Sequence, residues 1–449
     1  MQSFIKQGSI FVVVGASIMN ITIFASRVLY DNMFTPELAL FMMFIISAFV
    51  GLIAVRFRLR MLAFCGLILA GIVPIFIHSG VENYVGLFTY LLIVVLGTLW
   101  VVFRTEWRDL LVGALCLLTL YSLPHWSGVR TDIDTMTLFA YAFVAIFFTA
   151  NVVGFLRATV ITQANIVSAV WNGFFLLMWV HVGIAPEWQS LVYSFWTVVF
   201  LGTAFTLFRF TGNVKPFLAY AAVGVALLGT ATATELHGME LAIAFTLEVT
   251  ALVVLAHALV RSRHVTQISS LLFSIPWVMM FSAIAGYPSG VDASAPLLNE
   301  NFFALLVFAF ALMFTGFSLW KDILSNEDKA NEAKKFAWIF MIAGSVYGLI
   351  VAWLFFHQAF GEGSGTLVSL ALYTVLGISM YVRGIEAALH GVKLYGMFLV
   401  GFVVVHLILV DVWTMELFFR IITFFVVGAL LMGTAFVNKQ KKDITPVIK

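Results

Sequence analysis

Charge is what this chain has least of. Only 10% of its 449 residues are Asp, Glu, Lys or Arg, against about 25% in an ordinary soluble domain. Cysteine is nearly absent as well. Cys65 and Cys116 both fall in apolar runs, which excludes a disulfide framework of the secreted kind and leaves two packed thiols. No G-x-x-x-x-G-K-[ST], H-E-x-x-H, C-x-x-C or G-x-S-x-G pattern occurs, so ATP-driven pumping, zinc-protease, thiol-redox and serine-hydrolase chemistry lose support. Basic residues are too thin and dispersed for nucleic acid. No cofactor is expected, and the many aromatics suit lipid faces and interface belts. Long polar stretches are missing too: the two longest, 286–300 and 321–335, are too short to fold alone.

What the chain has is apolar length. It is 62% hydrophobic with a mean hydropathy of +1.06, and apolar runs of about 20 residues, each able to cross about 30 Å of hydrocarbon as a helix, recur almost without pause. Barrel strands would alternate in polarity, whereas LLIVVLGTLWVVF is apolar on every face. The expectation is an all-α, polytopic integral membrane protein. It comprises one transmembrane domain over 1–449, with about sixteen transmembrane helices in antiparallel hairpins, and the lipid bilayer as its first partner. The opening MQSFIKQGSIFVVVGASIMN lacks a small-residue cleavage site and reads as an uncleaved first helix.

If loops alternate sides, all but Arg27, Arg130 and Arg420 of the 24 basic residues fall on one side. The positive-inside rule makes that side, and both termini, cytoplasmic. The cytoplasmic breaks are regular: Arg104, Arg157, Arg209 and Arg261 follow at 53, 52 and 52 residues, then Lys321 and Arg383 at 60 and 62. LGTLWVVFR (96–104) and LGTAFTLFR (201–209) agree in register, with VLGISMYVR (375–383) a looser copy. A tandem hairpin repeat of about 52–60 residues from about 84 to 411 would explain this. Short-looped helices of ordinary length give a similar pitch, so both readings stand.

Polar residues inside the membrane are the chemical leads, since a charge at the bilayer centre costs about 2.5–3.5 kcal/mol and usually faces a partner or a wet cavity. VVHLILVDVWTMELFFRIITFF (403–424) holds three of them. Glu416 and Arg420 lie four apart on one helical face and Asp411 is a short loop away, so the three form either a structural ion-pair clamp on the last hairpin or an outward-facing anion site centred on Arg420. Glu248, in AFTLEVTALVVL, sits near the middle of its span. Such a carboxyl can carry protons, grip a cationic group or simply hydrogen-bond between helices. His406 is a candidate partner or proton relay, or a packed histidine. Glu235, His237 and Glu240 cluster on an outer loop without the oriented set a metal needs, so no metal site is expected. Asn20, Asn151, Asn165 and Asn172 read as interhelical hydrogen bonders, and GSVYG (344–348) as a small-residue packing face. GIVPIFIHSG and SIPWVMM are candidate broken helices.

FASRVLYDNMFTPELALFMMF, RLRMLAFCGLILAGIVPIFIHSG and LFTYLLIVVLGTLWVVFRTEW resemble the bacterial inner-membrane proteins grouped as domain of unknown function 2339. There the second stretch ends in a proline, three apolar residues and a small-residue Ser/Thr-Gly turn, matched by Pro74, Ser79 and Gly80. The family's close, a lysine five residues before an aspartate and an arginine about nine after it, is matched by Asp411, Arg420 and Gly428, with His406 in place of the lysine. The resemblance covers roughly 20 to 436. It implies a bacterial inner-membrane protein shortened at its N-terminus, and it carries no activity. Three functions follow as expectations. The first is a transporter or flippase-like protein for a polar or lipid-linked cell-envelope compound, working through Glu248, His406, Arg420 and Asp411. The second is a non-catalytic scaffold or assembly partner for another membrane protein, and the third, least supported, a membrane-embedded transferase.

Overall fold

A computed structural model describes residues 2–29, 35–77, 84–127, 133–157, 161–260, 263–288, 296–323, 330–387, 389–411, 413 and 416–444. No strand occurs among them. Among the described residues, thirteen helices are long and apolar enough to cross a membrane, and two shorter apolar helices, Arg60–Pro74 and Leu417–Leu430, accompany them. Large side chains such as Phe11, Phe195, Phe310 and Phe398 are each more than half exposed. A water-soluble surface does not carry so many of these, whereas a lipid-facing one requires them. The protein is a multi-pass membrane protein.

The chain forms two compact units, Met1–Glu235 and Leu236–Lys449. The first holds α1 (Gln2–Leu29), α2 (Pro36–Phe57), α3 (Arg60–Ile77), α4 (Tyr84–Thr105), α5 (Asp109–Trp126), α6 (Ile133–Arg157), α7 (Gln163–Gly183), α8 (Pro186–Thr211) and α9 (Val214–Glu235). Local chemistry sets the ends. Pro36 and Pro186 open α2 and α8, where the missing N–H costs nothing. Gly212, at φ 62°, closes α8 with its N–H on the Phe208 carbonyl. The consecutive pairs α2–α3, α6–α7 and α8–α9 pack together, as short connections require. α3 runs on through Pro74 to Ile77; residues 78–80 of the expected break there lie outside the described residues.

Apolar packing between greasy helices gives little specificity in lipid, so hydrogen bonds and small residues set the contacts. Between α6 and α7, Ser168 Oγ donates to Asn151 Oδ1 at 2.7 Å and Asn172 Nδ2 to the Val144 carbonyl at 3.2 Å. Asn151, Asn165 and Asn172 are all buried, as is Asn20. Trp171 Nε1 donates to Thr119 Oγ1 at 3.0 Å, tying α7 to α5. Arg108 folds over Gly154 near the end of α6 and reaches the Ala150 carbonyl at 3.4 Å, adding positive charge where the helix dipole is negative. Burial pulls its guanidinium below the ordinary arginine value; Glu106 opposes that and Arg157 adds to it.

The second unit holds α10 (Gly238–Val260), α11 (Arg263–Ser270), α12 (Ser274–Ala285), α13 (Glu300–Ile323), α14 (Ala330–Glu386), α15 (His390–His406) and α16 (Leu417–Ile444). A single 3₁₀ turn, Leu271–Phe273, separates α11 from α12, while SIPWVMM itself is helical as the opening of α12. α14 is 57 residues long and is two helices rather than one, divided at Gly361. Its first arm packs on α13 at backbone distance: a Cβ on Gly344 would stand 2.8 Å from the Ala309 carbonyl, whereas one on Gly348 would meet nothing within 4 Å. The GSVYG packing face is therefore real at its first glycine alone. α15 packs against α14, burying Leu399, Val403 and Leu407 against Leu370 and Tyr373.

Candidate functional site at the hairpin tip

The two arms of α14 fold back on each other. Tyr373 Oη donates to the Leu349 carbonyl at 2.5 Å, across 24 residues that would span about 36 Å in a straight helix. The reversal falls in FGEGSGT, where Gly361 adopts φ 80°, ψ 175°, a region almost closed to residues with a side chain. Gly365 lets the returning arm touch the outgoing one: a Cβ there would lie 2.7 Å from His357 Cα. The sequence thus builds a helical hairpin with hardly any loop.

Polar groups gather just inside this tip. His357 Nδ1 lies 2.8 Å from the Trp353 carbonyl and Nε2 3.0 Å from Thr366 Oγ1 across the turn, while Thr366 Oγ1 donates to the Glu362 carbonyl at 2.7 Å. A hydroxyl has one hydrogen and a carbonyl has none to give. A ring protonated on both nitrogens therefore makes all three bonds, and a neutral ring gives one up. Next to it, Gln358 Nε2 donates to the Pro296 carbonyl at 3.2 Å, fixing the tip to the segment leading into α13.

Two further elements close around the tip. The Trp353 ring stacks on His357 with centroids 4.2 Å apart and meets His406 of α15 edge-on at 5.2 Å, so one indole separates two imidazoles. His406 also stacks on Phe402. Directly after His406 the helix widens into a π turn, Leu407–Asp411, a local irregularity often found at functional sites. From α16, Phe419 fills the space that Gly363 leaves open, and Arg420, the next residue, is half-buried.

Of the residues singled out from sequence, His406 packs on Trp353 beside the tip, and Arg420 is half-buried in the first turn of α16. The side chain of Asp411 lies outside the described residues, and the expected Asp411–Arg420 contact with it. Glu416 is exposed, and its carbonyl accepts from the Arg420 N–H at 3.0 Å in the first turn of α16. Glu248 is half-buried on α10, whose packing neighbours are α11, α12 and α13, while His406 stands on a helix packed against α14. Trp353 and Phe402 pack on the His406 ring. Glu235, His237 and Glu240 are all exposed, and the described residues contain no group of three or more His, Cys, Asp or Glu arranged to hold a metal. Sequence reading missed His357, Trp353 and Thr366. Their signal was available: a histidine and a threonine nine residues apart flanking three glycines are placed to meet once GEGSG is read as a turn between helices.

A family model described as a predicted membrane protein, DUF2339, matches residues 6–287 and again 257–440. No curated protein and no solved structure matches the chain. With nearly its whole length covered by those two matches, the chain belongs to the DUF2339 family of predicted membrane proteins.

Proposed function

We propose that this protein is a transporter or flippase-like protein for a polar or lipid-linked cell-envelope compound, and that the hairpin tip is where it handles its substrate. The observation that carries the reading is the His357–Thr366 motif held at a glycine-built reversal, with His406 and a π turn beside it. Short, interrupted helices whose polar groups converge within the bilayer are the usual architecture of transport sites. Arg420 serves as the anion-binding group, Asp411 and Glu416 as its counter-charges, and Glu248 as a separate proton-carrying carboxyl on α10.

In this reading the chain makes sixteen crossings of a bacterial cytoplasmic membrane, with α14 contributing two and both termini cytoplasmic. Its hairpins form one transmembrane domain built by tandem repetition, and the tip of α14 faces the outer side. The scaffold alternative draws support from the rings packed on His406, which would suit a dry lock equally well. Reconstitution separates the two. Vesicles carrying a fluorescent phospholipid or a fluorescent polyprenyl phosphate are treated with an impermeant reductant. Bleaching beyond the outer leaflet's share with either probe, lost in His406→Leu and in Gly361→Ala, supports transport. Bleaching that stops at the outer leaflet for both probes, in native and variant protein alike, favours the scaffold.

A further inference from the structure

The first unit carries a lateral groove that the proposed function does not use. The geometry points to a bound anionic phospholipid there, its phosphate at Arg60 and one acyl chain lying along α5. The floor is a single face of α5, on which Asp109, Val112, Gly113, Cys116 and Leu120 recur at helical spacing. Phe64 and Ile68 of α3 form one wall, and Val167 and Trp171 of α7 the other. Two hollows, of about 460 Å³ and about 490 Å³, lie side by side along this floor, both bordered by Phe64, Gly113 and Cys116.

Length and charge select the occupant. From Asp109 to Tyr121 the floor extends about 18 Å at 1.5 Å per residue, close to one leaflet of a hydrocarbon core about 30 Å thick. A partner's membrane helix would lie against the full depth, whereas an acyl chain fills one leaflet. The lining is apolar until the end marked by Asp109 and Gln163. There Arg60 forms an ion pair with Asp109 while staying 55% exposed, so its guanidinium has donors left for a phosphate. Arg56 and Arg58, on the turn that leads into Arg60, are exposed as well. That surplus of positive charge favours an anionic over a zwitterionic headgroup.

The chain's own two cysteines supply the test, because Cys116 lies in the groove floor and Cys65 is not among its lining residues. Delipidated protein in detergent is alkylated with N-ethylmaleimide while phosphatidylglycerol or phosphatidylcholine is titrated in, and each cysteine is followed by peptide mass spectrometry. With phosphatidylglycerol at about ten times its dissociation constant, Cys116 labelling slows about tenfold and Cys65 labelling does not change. Phosphatidylcholine protects Cys116 less. In the charge-neutral pair Arg60→Gln with Asp109→Asn, the advantage of phosphatidylglycerol over phosphatidylcholine shrinks, the remainder being due to Arg56 and Arg58. Equal protection by both lipids on the native chain overturns the headgroup assignment. No protection of Cys116 by either, or protection of Cys65 to the same degree, overturns the groove; protection present in native membranes and absent with every lipid assigns it to a partner helix.

Discussion

Single residues decide the hairpin tip. Gly361 holds a backbone conformation that costs a residue with a side chain on the order of 1–3 kcal/mol. Gly361→Ala should therefore lower stability by about that amount, read as a fall in thermal midpoint in nanodiscs; an unchanged midpoint would mean that the reversal tolerates a side chain. Thr366→Val removes the hydroxyl shared by His357 and the Glu362 carbonyl and should cost about 1 kcal/mol. In the first unit, a Cβ at Gly154 would stand 2.7 Å from Arg108 Nη1. Gly154→Leu should displace that guanidinium and cost about 1–3 kcal/mol. Sequence reading found His406 and Arg420 because charge and imidazole are conspicuous in an apolar run. It passed over His357 because a histidine beside a glycine-rich turn looks like an ordinary loop residue, and its partner Thr366 is defined only once the two arms are in register.

Helices were more legible than their contacts. Length and hydropathy mark the spans, including the weakly apolar α5 and the alanine-rich α9, because each must cover the same thickness of hydrocarbon. The two arms of α14 are separate helices that reverse at Gly361 with hardly any loop between them. Which face of a helix meets which neighbour was not legible, since nearly every face is apolar. GSVYG illustrates this: by spacing alone its two glycines are equivalent, yet only Gly344 meets the α13 backbone. Gly344→Leu should force α13 and α14 apart and cost about 1–3 kcal/mol, while Gly348→Leu should stay within about 0.5 kcal/mol. Equal effects in thermal unfolding of the two variants would refute the packing described for this pair.

For the whole molecule, the proposed orientation rests on the distribution of charge and the proposed chemistry on the hairpin tip. If the basic turns are cytoplasmic, reporter fusions after Arg157, Arg261 and Arg383 should all be active in a cytoplasmic assay, and a fusion at Glu362 should be active only outside; a single reversed reporter would break the alternation. The most direct measurement is water access to position 406. With Cys65 and Cys116 replaced by serine and His406→Cys introduced, vesicles of known sidedness are treated with a membrane-impermeant thiol reagent. The transport reading predicts labelling from the outer side at a rate changed several-fold by Gly361→Ala. No labelling from either side, with both proteins folded at the temperature of the assay, would contradict it and leave His357, Trp353 and His406 as a packed lock.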